Sequence, residues 1–344
     1  MKSLTSGTGV TTLANGGAPA RMISATLRRV ACALVLVLAA SSAHAQTYPS
    51  RPIRLVVPFA AGGAVDVLAR LLGNKLADQI GQPVIIENRP GAGGTLAADG
   101  VAKLPPDGYT ILQNTNGASI APALYNSLPF DAVNDFAPVT QIVASNLILV
   151  ASPKSGITSI GQLIAQARAN PGKLNYGSSG VGNPLHLTME MLKHAAGIDI
   201  LAVPFRGDAQ INAALIAGDV EVAVVPLATA VPLIEDGRIR ALAITGARRS
   251  PTVPDVPTIA EAAVAGFAST SWQGWFMPAK TPAPIVERIQ QETAMVLATP
   301  DMRARLAAMA YEGIGSTPAE FAAHYRQEIA KFTQVIADAK IPKQ

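Results

Sequence analysis

The chain has 344 residues, enough for one large domain or two medium ones. Its formal charge of +4 comes from Lys2, Arg21, Arg28 and Arg29, which precede residue 46 where no Asp or Glu occurs. Residues 46–344 are therefore neutral, which removes the electrostatic case for nucleic-acid or anionic-membrane binding. The single cysteine, Cys32, lies in the same early stretch, so disulfides and thiolate chemistry are excluded from the rest.

Arg28-Arg29, the unbroken apolar run 30–40 and Ala43-His44-Ala45 have the order of a basic region, a hydrophobic region and an A-x-A cleavage site. Residues 1–45 are read as a cleaved signal peptide, with Gln46 as the mature N-terminus and a periplasmic destination; residues 22–45 would suffice alone. The run is shorter than the ~20 residues that span a bilayer. No later run is long enough either, so the mature chain is expected to insert in no membrane. From residue 53 onward strand-like and helical patterns alternate. A strand over 53–57 ends at Pro58, Gly62-Gly63 turn the chain, and Val65, Leu68, Ala69 and Leu72 recur at helical spacing to about 77. Strand 83–87, a turn at Asn88-Arg89-Pro90-Gly91, helix 94–103 and strand 109–113 follow. The long apolar stretch 136–151 reads as a strand passing from one domain into another.

A second βα series covers helix 159–169, strand 174–176, loop 177–182, helix 184–196, strand 200–204, helix 209–217, strand 220–225, helix 230–236 and strand 239–245. A proline-rich connector over 250–257 leads to strand 271–277 and helices 284–297, 302–309 and 318–336. Thr317, Pro318 and Glu320 give the last helix its cap. Two similar βα series with two connections between them predict largely parallel α/β layers in two lobes around a cleft. Lobe one is placed at 46–145 plus 268–344, and lobe two at 146–267.

The strand–glycine–helix order at 53–70 puts a helix N-terminus, with unbonded amides and partial positive charge, at the carboxyl end of a strand. No P-loop lysine and no third dinucleotide glycine follows, so a small carboxylate suits the turn better than a nucleotide. Tyr176-Gly177-Ser178-Ser179-Gly180-Val181-Gly182-Asn183-Pro184 repeats the arrangement, with Ser178, Ser179 and Asn183 adding donors or capping the helix. Phe205-Arg206-Gly207-Asp208 follows a strand on the same edge; Arg206 either grips a carboxylate or is tied to Asp208. Asn116 follows the third strand, and Asp66 either complements its helix end, orients the loop or meets a ligand ammonium. His186 lies one turn into the second helix and is weighed as structural against ligand-binding, whereas His194 and His324 read as surface residues of helices. Trp272, Trp275 and Phe276 read as core rather than cleft wall. G-x-S-x-G, S-x-x-K and P-loop patterns do not occur, and His186 with Glu190 lacks a third ligand. No catalytic residue, metal or cofactor is assigned.

The segments RPIRLVVPFAAGGAVDVLAR, VIIENRPGAGGTLAADGVAK, PPDGYTIL, LNYGSSGVGNPLHLTMEML, VPFRG, IRALAITGARRSPTVPDVPTIAE and WQGWFMPAKTP occur in that order. Together they resemble the Bug family, the periplasmic substrate-binding proteins of tripartite tricarboxylate transporters. The resemblance covers essentially the whole chain after the leader. It implies a type II periplasmic-binding-protein fold, two α/β lobes joined by two crossing strands, with no enzymatic activity. It implies that Phe59, Ala60, Ala61, Gly62 and Gly63 hold a ligand carboxylate through main-chain groups and ordered water. It implies that Ser178, Ser179 and Gly180, with Asn183 and His186, form the opposing loop. The implied ligand is a small carboxylate (a dicarboxylate, an amino acid or an aromatic acid), and the implied partners are membrane transporter subunits, with the receptor itself a monomer. The alternatives are a receptor for a signalling partner, or a periplasmic hydrolase or isomerase on the same fold. One position departs from the family pattern. After Phe205-Arg206-Gly207, small residues leading to Pro-Ala are usual, whereas Asp208-Ala209-Gln210-Ile211 stands here, which disfavours a tricarboxylate.

Overall fold

A computed structural model describes residues 48–178, 180–205 and 207–344, together with Gly9 and Thr11. The leader expected over 1–45 lies, those two residues apart, outside the described residues, as do Ser179 and Arg206. Residues 51–344 form one unit. It begins with the apolar run as β1 (Ile53–Val57), whose Ile53, Leu55, Val56 and Val57 are fully buried. Helix α1 (Ala64–Ile80) turns Leu68, Ala69, Leu72 and Leu76 inward at helical spacing. Then come β2 (Val84–Asn88), α2 (Thr95–Ala102), β3 (Thr110–Thr115), α3 (Gly117–Leu124) and β4 (Phe136–Ala151). The second series is α4 (Ile160–Ala169), β5 (Asn175–Ser178), α5 (Pro184–Ala196), β6 (Leu201–Pro204), α6 (Asp208–Ala217), β7 (Val222–Pro226), α7 (Leu227–Glu235), β8 (Arg240–Ile244) and α8 (Ile259–Ala262). The chain returns through β9 (Thr270–Pro278) and closes with α9 (Ala283–Ala298), α10 (Pro300–Ala308), β10 (Glu312–Gly313) and α11 (Pro318–Asp338).

The strands follow the order β2-β1-β3-β9-β4-β7-β5-β6, with β8 and β10 also paired to β4. Each end of this path is parallel, β2-β1-β3 on one side and β7-β5-β6 on the other. The middle is antiparallel, so the sheets are more mixed than the alternating pattern predicts. β4 runs against β9 from Phe136 to Asn146, then against β7 and β8 from Leu147 to Ala151. β4 and β9 are thus the two strands that cross between the βα series, and the architecture is the bilobal periplasmic-binding-protein fold.

Helix α3 occupies a stretch after the third strand to which the sequence reading assigns no element. Pro122 inside it cannot donate to the Ala118 carbonyl, and the Tyr325 hydroxyl does so instead at 3.1 Å. Trp272, Trp275 and Phe276 are buried in the core, as their pattern suggests. His324 is not a surface residue: it is half-buried on α11, its ring 5.8 Å from Trp272. Ile120 and Leu124 of α3, Leu187 of α5, and Phe332 and Ile336 of α11 form one apolar cluster that joins the two βα series behind the cleft. Fully burying an aliphatic side chain stabilises by about 1.5–3 kcal/mol. Among the described residues no helix is long and apolar enough to cross a membrane.

Candidate functional site

The loop from β1 to α1 is held from below by Asp66. Its Oδ2 accepts from the Gly62 amide at 2.8 Å and from Arg70 Nε at 2.9 Å, and its Oδ1 accepts from Asn88 Nδ2 at 2.9 Å. Asn88 Nδ2 also donates to the Phe59 carbonyl at 3.0 Å, so both ends of the loop are fixed. The Arg70 hydrogen bond, with help from Gly62 and Asn88, holds the Asp66 carboxyl at about 2, against burial that pushes it up. Asp66 is buried and committed on both oxygens, so it orients the loop rather than facing the cleft. Gly62 sits at φ 83, where a side chain strains the backbone although nothing crowds its Cβ direction. No side chain caps the Gly63 end of α1, which leaves its first amides open.

Four more helices present their N-termini to the same space. α3 starts at Gly117, α5 at Pro184, α6 at Asp208 and α7 at Leu227, each following a strand at its carboxyl end. Only α5 has a side-chain cap: Asn183 Oδ1 accepts from the Leu185 amide at 2.9 Å. In the loop before α5, Gly182 donates its amide to His186 Nδ1 at a long 3.4 Å. Burial lowers the His186 pKa, so a neutral ring serves as that acceptor. Gly182 has φ 78, and a Cβ there would lie 2.5 Å from Leu124 on α3, so the two sides of the cleft touch at this point.

The cavity between these ends has a volume of about 940 Å³. A void of about 20 Å³ behind α3 is too small for more than a water. Of the expected residues, Phe59, Asn116, Gly180, Asn183 and Asp208 line the large cavity. Ala60, Ala61, Gly62 and Gly63 form the exposed loop beside it, and Ala64 and Val65, not singled out from sequence, reach the wall. Ser178, Phe205, Gly207 and His186 are not among its lining residues; the Ser178 carbonyl accepts from the Phe205 amide at 2.8 Å. Asn116 lines the cavity with its side chain already spent: Oδ1 accepts from the Trp272 amide at 2.8 Å, and Nδ2 donates to the Thr270 carbonyl at 3.0 Å.

The floor carries residues that sequence reasoning misses. Gln113 accepts from Trp275 Nε1 at 3.0 Å and donates to Gln273 Oε1 at 2.8 Å; Gln273 donates to the Tyr311 hydroxyl at 2.9 Å. Burial keeps Tyr311 protonated, so after accepting from Gln273 it keeps its own proton to donate. Gln273 and Tyr311 line the cavity with Thr115, Thr229, Ser145 and Asn146. No Lys or Arg is among the described lining residues, and Asp208 is the one charged side chain among them. Among its described residues the site offers an anion neutral donors and helix ends rather than a cationic partner. Each helix end contributes about 0.3–1 kcal/mol toward a negative charge. Among the described residues no group of His, Cys, Asp and Glu has the arrangement of a metal site.

A family model described as "Tripartite tricarboxylate transporter family receptor" matches residues 68–341. The Bordetella pertussis protein BugT is 33% identical over 301 residues, covering 87% of this chain and 92% of its own. A solved structure of a Rhodopseudomonas palustris protein, Rpa4515 with adipate, is 37% identical with a TM-score of 0.73, covering 86% of this chain and all of that one (100%). A second from the same organism, MatC with bound malate, is 32% identical with a TM-score of 0.70, covering 84% of this chain and 100% of its own.

Proposed function

The chain belongs to the tripartite tricarboxylate transporter receptor family, the Bug family, and is a solute-binding receptor; from that premise we propose that it captures a small carboxylate in the cavity and delivers it to membrane transporter subunits. The observation that carries this reading is the convergence of five helix N-termini, four without a side-chain cap, on one cavity without Lys or Arg among its described lining residues. Its volume of about 940 Å³ is at the upper end of small-molecule sites. The relatives with adipate and malate support the ligand class.

In this reading Ala60 to Gly63 close over the carboxylate, and Gly180 and Asn183 meet it from the other side. Residues 46–145 with 268–344 form one lobe and 146–267 the other, and ligand shifts the open–closed equilibrium toward the closed form. The protein works in the periplasm after loss of residues 1–45. It binds without catalysis: His186, the histidine nearest the second glycine loop, is used as a loop acceptor rather than as a base beside a nucleophile.

A thermal-shift panel of diacids, amino acids and aromatic acids on the protein from residue 46 tests the reading, since a ligand that binds only the folded state raises Tm by mass action. At least one carboxylate is expected to raise Tm, and Gly62→Leu to abolish that rise while leaving a cooperative unfolding transition. An unchanged shift in Gly62→Leu would contradict the site.

A further inference from the structure

Asp208 is out of place in a cavity built for an anion. It is the first residue of α6, it lines the cavity wall, and it makes no side-chain cap to its own helix. No Lys, Arg or His among the described residues pairs with it, whereas Asp66, the acid in the first turn of α1, is fully matched. Burial pushes its carboxyl above the ordinary range. A diacid anchored at one end on the amides of α1 would bring its second carboxylate into a cavity whose one described charged side chain has the same sign. An amino group would bring a charge opposite to that of Asp208, which no described lining residue supplies.

We infer that the ligand of this receptor carries a cationic nitrogen as well as a carboxylate, with Asp208 as the residue that selects the nitrogen. The inference rests on carboxylate capture as proposed above and adds the class of the ligand's second group. It separates this chain from the relatives solved with adipate and malate, whose ligands are diacids.

Matched probes test it: 5-aminopentanoate against adipate, and 4-aminobutyrate against glutarate. Each pair keeps the carbon spacing and exchanges one carboxylate for an ammonium. Dissociation constants for the wild-type protein and for Asp208→Asn, which keeps the shape and removes the charge, give the readout. In the wild type the amino acid of at least one pair is expected to bind about tenfold or more tightly than its diacid. In Asp208→Asn that preference is expected to vanish or reverse, with unliganded Tm within about 2 °C of wild type. Tighter binding of both diacids by the wild type would overturn the inference and leave carboxylate capture standing, and it needs no variant to read. A preference for the amino acids that persists in Asp208→Asn would overturn the role of Asp208. Absence of binding by both amino acids would overturn the inference, whereas carboxylate capture falls only if every acid of the thermal-shift panel is silent as well.

Discussion

Asp66 accepts hydrogen bonds from Gly62, Arg70 and Asn88, three groups drawn from the loop, the helix and the neighbouring strand. Its folded pKa of about 2 lies below the ordinary 3.8. A depressed carboxyl contributes stability that is complete above about pH 4 and is lost as pH falls toward 2. Asp66→Asn is therefore expected to lower Tm at neutral pH and to flatten the decline of Tm between about pH 4 and 2. Parallel Tm–pH curves for the two proteins would contradict that role. The same variant should weaken carboxylate binding by about tenfold, because the Gly62 amide loses its charged acceptor and the loop its fixed shape. From sequence Asp66 could be a helix-end charge, a loop organiser or a ligand contact. The choice depends on Asn88, which is 22 positions away, and only pairing of β1 with β2 brings it near.

At the scale of elements, one local grammar recurs: a strand ends, the chain turns, and a helix begins with open amides. It was legible at β1–α1 and β5–α5, where glycines mark the turn. At β3–α3 it was hidden, since a helix of 8 residues containing Pro122 carries no clear helical signal, and the hydroxyl that replaces the lost donor comes from Tyr325 on α11. At β7–α7 Pro226 marks the turn in place of glycine, so Leu227 to Thr229 were not recognised as part of the wall. The Gln113–Gln273–Tyr311 chain was illegible because its members come from three distant segments that meet only across β3 and β9. Caps separate stability from binding. Asn183 caps α5 at the cavity, whereas Thr317 and Glu320 form a capping box on α11 away from its wall. Asn183→Ala and Thr317→Ala should each cost about 1 kcal/mol in urea unfolding. Only Asn183→Ala is expected to weaken ligand binding; an equal loss in Thr317→Ala would mean that the cavity does not read the caps individually.

The whole molecule is organised by β4 and β9. Their crossing was legible from the length of the apolar stretch at 136–151, and the family resemblance supplied its meaning. Several pins hold the crossing point. Asn116 grips Thr270 and Trp272, and Thr245 Oγ1 donates to the Leu147 carbonyl at 3.1 Å and the Ser269 carbonyl at 2.6 Å. The hydroxyls of Thr188 and Ser269 lie 2.7 Å apart. With the strands fixed and Leu124 against Gly182, the molecule encloses its cavity between two sets of helix ends. The central claim is that these ends recognise a carboxylate by its charge through neutral donors. Calorimetric titration with carboxylates from the thermal-shift panel, each beside its uncharged primary amide, tests it most directly. The account predicts one-to-one binding of a carboxylate, with the matching amide weaker by about a hundredfold. Equal binding of acid and amide, or no heat from any carboxylate, would contradict it.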